Sequence, residues 1–332
     1  MRPATAVSYR SAVETHIVPA IGAMKLERLT PAVVQRFYAD LREDGVGDRT
    51  RQKVHAVLHR ALASAVRLQL LQSNPAALDE DAPKYRAPER EPLTLEQARA
   101  LLDAAKGDPF EALYVLALTT GARQGELFAL RWRDVDLAAG TLRIARTVQD
   151  VDTRGTLQGG PTKTSASRRR IELSPLAIEA LERHREKAPP ASANELIFAA
   201  QNGALLRRQN FTRREFYPLL DRIARCTRCR HSAEEHRHVA KRKVTLAACK
   251  ACGDCKQWAP DFPRIHFHDL RHTAATLSAA GGVPVVMVAH LLGHVDPTIT
   301  LRTYQHAFEG GAGDASKRLG ELLGNPAPKR QP

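Results

Sequence analysis

The first 225 residues of this chain contain no cysteine; all five fall between Cys226 and Cys255. A disulfide framework would be spread through a small secreted domain, so this distribution excludes that class. No apolar run reaches membrane-spanning length. The opening Met1-Arg2-Pro3-Ala4-Thr5 lacks the apolar stretch of a secretory signal. There is no internal repeat and no low-complexity tract. The expectation is a cytoplasmic protein without a membrane partner.

What is present is a chain of 332 residues, 43% of them hydrophobic, long enough for a real core and, as a prior, for two domains. The formal net charge is +14. Such an excess favours a polyanionic partner, nucleic acid first, with counterion release supplying much of the affinity. Charge alone leaves open a merely basic soluble protein.

Residues 5–75 read as a compact helical unit. Ala6, Tyr9, Val13 and Ile17 recur at helical spacing. Thr30-Pro31 is a cap with a first-turn proline ahead of Val33, Val34, Phe37 and Leu41. Gly45 and Gly47 break that helix, and a longer one follows Asp48, carrying Val54, Val57, Leu58, Ala61, Ala65 and Leu68. Residues 79–92, with three prolines and many charges, read as a linker. Thr94 and Gln97 then form a capping box. The part beyond is mixed. An apolar helix from Phe110 stops at Gly121, and a second spans Gln124–Leu130. Strands follow at Thr141–Ile144, Arg169–Leu173 and Leu196–Phe198, with a helix opened by Ser174-Pro175. The fold class is therefore α+β and mainly helical: a small all-helical domain joined to a mixed one.

Four constellations could carry chemistry. Arg123 sits at the mouth of a helix after a glycine break, where a guanidinium fork and the helix N-terminus both favour phosphate. A salt bridge to Glu126 is the plainer reading. His268 and Arg271, three apart, share a helix face and pair a titratable imidazole with a permanent cation. His294 follows the helix stop Gly293 and could point into a cleft, and Tyr304 lies ten residues on. A phenol has a pKa near 10, so a tyrosine nucleophile needs cations nearby. Lys163 occupies a turn between strands, where an ammonium could reach a ligand.

Taken together and in order, Arg123, Lys163, His268 with Arg271, His294 and Tyr304 resemble the active site of the tyrosine recombinases of the phage-integrase type. The stretches that carry the resemblance are TGARQGELFALRW, TKTSASRRR, HFHDLRHT, LLGH and TYQH. It implies a core-binding domain over 1–78, a linker over 79–92 and a catalytic domain over 93–325. It also implies a mechanism. Arg123 and Arg271 clamp the scissile phosphate, and Tyr304 attacks phosphorus to form a 3′-phosphotyrosyl link. His268 accepts the tyrosine proton, Lys163 protonates the departing 5′-oxygen and His294 hydrogen-bonds a phosphate oxygen. Neither ATP nor a catalytic metal is expected. The implied partners are double-stranded DNA with specific core sites and three further copies of the chain, forming a homotetramer on DNA from free monomers. The C-terminal stripe Leu319, Leu322 and Leu323 either docks on a neighbour in that assembly or packs on its own domain. A catalytically silent DNA-binding regulator and a type IB topoisomerase are the alternative functions.

Two departures stand out. Integrases often carry an N-terminal arm-binding domain, and this chain opens directly in the first helix of the core-binding domain. Either that module is lacking or the chain is truncated, which leaves control by arm sites open. The second departure is a segment over 225–260 ahead of the His-x-x-Arg box. Cys226, Cys229, Cys249 and Cys252 form C-x2-C-x19-C-x2-C, the spacing of a structural zinc site. Cys252 with Cys255 is an alternative second pair, and His231, His236 or His238 could replace a cysteine. The expectation is a zinc-ribbon-like insert stapled by Zn2+, against free thiols or redox chemistry. Arg225, Arg228, Arg230, Lys241, Arg242 and Lys243 make it basic, which suits added DNA-backbone contacts or a structural role.

Overall fold

The structure is a computed structural model describing residues 3–77, 82–85, 91–150, 157–161, 168–188, 190, 192–225, 238–240, 243–245, 261–294 and 296–308. The chain divides into two compact units. One comprises Met1–Glu89 with Asp150–Gln158, the other Arg90–Gln149 with Gly159–Pro332.

The Met1–Glu89 part of the first unit is helical where described. Helix α1 (Pro3–Ala12) runs through a π turn at Val13–Ile17 into Val18–Ile21. Helix α2 (Pro31–Glu43) starts where the Thr30 hydroxyl accepts from the Val33 amide, with Pro31 at the position where a missing N–H costs nothing. It buries Val34, Phe37, Tyr38 and Leu41, one stripe at helical period. Helix α3 (Asp48–Arg67) buries Val54, Val57, Leu58 and Leu62 against it. The inward stripe thus runs through Leu62 rather than the expected Ala61, Ala65 and Leu68, and Leu68 is 68% exposed. Tyr38 Oη meets His55 Nδ1 at 2.8 Å, which satisfies the polar tip of that buried ring.

The second unit is built around α5 (Glu111–Thr120), apolar on every side and buried along nearly its whole length. Helix α4 (Leu95–Ala104) carries the Thr94/Gln97 capping box. The left-handed Gly121 (φ 58°) ends α5, and the short α6 (Gln124–Leu127) follows. Strands β1 (Val135–Asp136), β2 (Thr141–Ile144) and β5 (Arg169–Glu172) form an antiparallel sheet in the order β1-β2-β5. Its register sets Leu142 opposite Ile171 and Ile144 opposite Arg169 on the buried face. Strands β3 (Arg146–Asp150) and β4 (Leu157–Pro161) make a separate ribbon that apolar patterning does not signal. Leu196 makes only a single bridge to Arg131, so the expected strand there is absent. Helix α7 (Pro175–Lys187) packs its Ala177, Ala180 and Leu181 into the core. Helices α8 (Arg208–Phe211) and α9 (Tyr217–Ile223) flank a π turn at Thr212–Phe216. Strands β6 (His238–Ala240) and β7 (Lys243–Thr245) pair as an antiparallel hairpin.

Helices α10 (Asp269–Ala280), α11 (Val285–Leu292) and α12 (Pro297–Phe308) complete the unit. Phe267, just ahead of α10, is anchored by rings: Phe211 at 5.3 Å, Phe216 at 5.4 Å and Phe128 at 6.3 Å between centroids. This aromatic cluster fixes where the His-x-x-Arg box begins. The chain therefore combines a small helical unit with a mixed α+β unit.

The expected structural zinc is not supported. A zinc site needs about four ligands converging on one point. Among the described residues no group of three or more His, Cys, Asp or Glu side chains converges in that way. Cys226, Cys229, Cys249, Cys252 and Cys255 themselves lie outside the described residues, and their spacing alone does not bring the pairs together. The zinc-ribbon-like insert and its Zn2+ are accordingly withdrawn. The stripe at Leu319, Leu322 and Leu323 also lies outside the described residues. No described helix is long and apolar enough to cross a membrane.

Candidate active site

The second unit gathers residues from distant stretches into one pocket. Arg271 lies in the first turn of α10 and is buried, 4% exposed. Its Nη1 donates to the Gly121 carbonyl at 2.8 Å, and its Nη2 contacts His294 Nε2 at 2.9 Å. Glycine is strongly favoured at position 121. Its φ is left-handed, and a Cβ would sit 2.6 Å from Leu292 Cδ2.

The hydrogen-bond pattern assigns the His294 tautomer. A guanidinium can only donate, so Nε2 accepts and Nδ1–H donates to Thr300 Oγ1 at 2.7 Å. Burial, then the charges of Arg271 and Arg123, push the His294 pKa down to about 4, so the imidazole is neutral. His268 is also pushed down to about 4, by partial burial and then by Arg271 and His272. Arg271 itself is lowered to about 9, first by burial and then by repulsion from Arg123. Both of its bonded partners are neutral, so a buried positive charge stands here without a bonded carboxylate among the described residues.

Arg123 precedes α6 with its side chain 37% exposed. Its Nη1 pairs with Glu126 Oε1 at 2.9 Å, and its backbone N–H donates to Glu126 Oε2 at 3.0 Å. Glu126 is buried and also accepts from Arg169 Nη2 at 3.2 Å. Burial alone would raise the Glu126 carboxyl, but Arg169 and Arg123 outweigh it and hold it below the ordinary range. Arg169, on the buried face of β5, donates from Nε to the Leu291 carbonyl at 2.7 Å. The salt bridge to Glu126 is thus present, and the Arg123 charge also bears on Arg271, His268 and His294. Gly125 lets β3 approach closely, since a Cβ there would sit 2.7 Å from the Val148 carbonyl.

Tyr304 lies inside α12, where its φ −124° and ψ 20° interrupt the helix. The ring is buried against Ala275, Val288 and Leu292. Burial raises the phenol pKa and the Arg271 charge partly offsets this. Its Oη meets His272 Nδ1 at 2.8 Å. His268 stands edge-on to His272, with ring centroids 5.5 Å apart.

Arg123, His268, Arg271, His294 and Tyr304 therefore share one electrostatic environment, and Lys163 lies outside the described residues. Sequence reading assigned no part to His272, Arg169 or Thr300. His272 had a signal: four residues after His268, it lies on nearly the same side of the helix. Arg169 had another, since it alternates with Ile171 on the inward strand face.

Residues 91–310 match the phage integrase family, and residues 1–42 match the phage integrase N-terminal SAM-like domain. The chain belongs to the phage integrase family of tyrosine recombinases. It is accordingly a tyrosine-type, site-specific DNA recombinase. Among relatives, the putative prophage phiRv2 integrase of Mycobacterium tuberculosis is 28% identical over 322 residues, covering 97% of this chain and 74% of that one. An integrase of Saccharopolyspora erythraea is 27% identical over 340 residues, with 94% and 76% covered. The fold is similar to that of the Tn1549 transposon integrase in complex with transposon right end DNA, with TM-score 0.72, 20% identity, and 95% and 93% covered. A lambda integrase tetramer bound to a Holliday junction gives TM-score 0.59 and 20% identity, with 91% and 72% covered.

Proposed function

We propose that this chain exchanges DNA strands through a 3′-phosphotyrosyl link to Tyr304, with Arg123 and Arg271 clamping the scissile phosphate. The observation that carries this reading is Arg271, a buried guanidinium whose bonded partners are both neutral, beside a buried tyrosine. A buried charge without a bonded counter-ion is costly. A phosphate would neutralise it and, as charge grows in the pentacovalent transition state, be held more tightly still. The same negative charge raises the pKa of His294, letting it donate to a phosphate oxygen. Lys163 protonates the departing 5′-oxygen. One phosphodiester is exchanged for another, so the step needs neither ATP nor a catalytic metal.

In this reading residues 1–78 form the core-binding domain, 79–92 the linker and 93–325 the catalytic domain. The substrate is double-stranded DNA with specific core sites. The net charge of +14 and the DNA-bound relatives of similar fold support this. Free monomers assemble as a homotetramer that passes through a Holliday junction, as the junction-bound lambda tetramer suggests. The place of action is the cytoplasm.

The test is a nicked suicide duplex made from DNA flanking the gene. The chain should become covalently attached to it, and Tyr304→Phe should abolish the adduct while DNA binding persists. Binding without any adduct would instead identify a silent regulator. Relaxation of supercoils without sequence preference would identify a topoisomerase.

A further inference from the structure

The Tyr304 hydroxyl is already engaged. Its oxygen lies 2.8 Å from His272 Nδ1, with ring centroids 5.8 Å apart. Two features hold it there. The tyrosine ring is 3% exposed among Ala275, Val288 and Leu292, and the backbone of α12 leaves helical geometry at Tyr304 itself. On the other side, His272 is carried by the same helix turn as Arg271, so the base and the phosphate clamp share one rigid element. His268, one turn earlier, faces the His272 ring, and among the described residues no hydrogen bond joins it to the phenol.

We infer that His272, rather than His268, receives the Tyr304 proton during strand cleavage. This rests on Tyr304 being the nucleophile. The phenol oxygen forms a bond to phosphorus as the bond from phosphorus to the 5′-oxygen breaks. The phenol proton passes to His272 Nδ1, and the 5′-oxygen takes a proton from its own donor. In the return step the 5′-hydroxyl attacks, the phosphotyrosyl bond breaks and His272 hands the proton back. A buried phenol, with its pKa raised, is protonated at neutral pH, so such an acceptor is required before attack.

His272→Asn separates holding from proton transfer. Its amide oxygen can stand near the Nδ1 position and accept a hydrogen bond, yet it takes up no proton at neutral pH. Adduct formation on the nicked duplex should slow at least about 100-fold, with DNA affinity unchanged. A duplex with sulfur in place of the bridging 5′-oxygen needs no proton on its leaving group, so it should not restore the rate. His268→Asn, assayed in parallel, should lose less. His272→Gln gives the same reading if the first variant fails to fold. The inference is overturned if the His272 variant cleaves within about threefold of the parent, or if the sulfur substrate restores it. A parent chain that forms no adduct would sink the recombinase mechanism and this step together; a cleaving parent beside an equally active variant sinks this step alone.

Discussion

Glu126→Gln is the most informative single change in this site. The Glu126 side chain is 3% exposed and that of Arg169 is 1% exposed. Arg123 can turn its partly exposed guanidinium to water, so its share of the loss is small. Arg169 has no such route. Removing one member of a buried ion pair strands the other charge, at a cost of about 3–5 kcal/mol. Gln keeps one carbonyl oxygen for the Arg123 amide, which places the expected loss near the lower end, about 3 kcal/mol. With an m-value of about 3 kcal/mol/M, that lowers the urea midpoint by roughly 1 M. Equilibrium unfolding followed by circular dichroism measures it. Pairing Glu126→Gln with Arg169→Met removes the charge that lost its carboxylate but also the bond to the Leu291 carbonyl, so it should recover only part of the loss. The reasoning fails if the single variant unfolds within about 0.5 kcal/mol of the parent, or if the pair is no more stable than the single variant.

Two further outcomes follow from the same pocket. Gly121→Ala forces an L residue into left-handed backbone at about 1–2 kcal/mol and presses a methyl onto Leu292, so thermal unfolding should show a loss of about 2–4 kcal/mol; an unchanged melting temperature would contradict it. For His294, lowered from 6.5 to about 4, the folded state stays neutral while the unfolded chain takes up a proton. Its stability contribution is therefore complete above pH 6.5 and is lost as pH falls toward 4. His294→Gln should flatten that acid slope in denaturation curves, and an identical slope in both proteins would rule the linkage out.

Much of the architecture was legible because local chemistry and burial agree. Thr30-Pro31, the Thr94/Gln97 box and Ser174-Pro175 open helices where their capping chemistry places them. Gly121 and Gly293 end helices in left-handed geometry. The ribbon β3–β4 was not legible, since Leu157–Pro161 holds two glycines and a proline and no alternating apolar face. Leu196–Phe198 looked like a strand because three apolar residues fit a strand or a buried turn equally well. In the site, the cations and the tyrosine could be read from their order along the chain. Their partners could not. Which histidine meets the phenol depends on the rotation of α10 against α12, and the Arg169–Glu126 pair depends on packing β5 beside α6. The zinc expectation had the opposite weakness: ligand spacing was present, but spacing says nothing of convergence.

Arg271 reaches back 150 residues to the Gly121 carbonyl, and Arg169 reaches forward 122 residues to that of Leu291. Two positive groups of the pocket are thus also rivets between early and late segments of the chain. A nascent polypeptide that has not yet emitted its last helices has no assembled scissors. Neither has one clipped between these segments and pulled apart. In a protein that cuts and rejoins DNA, this wiring ties assembly of the pocket to the folding of both segments.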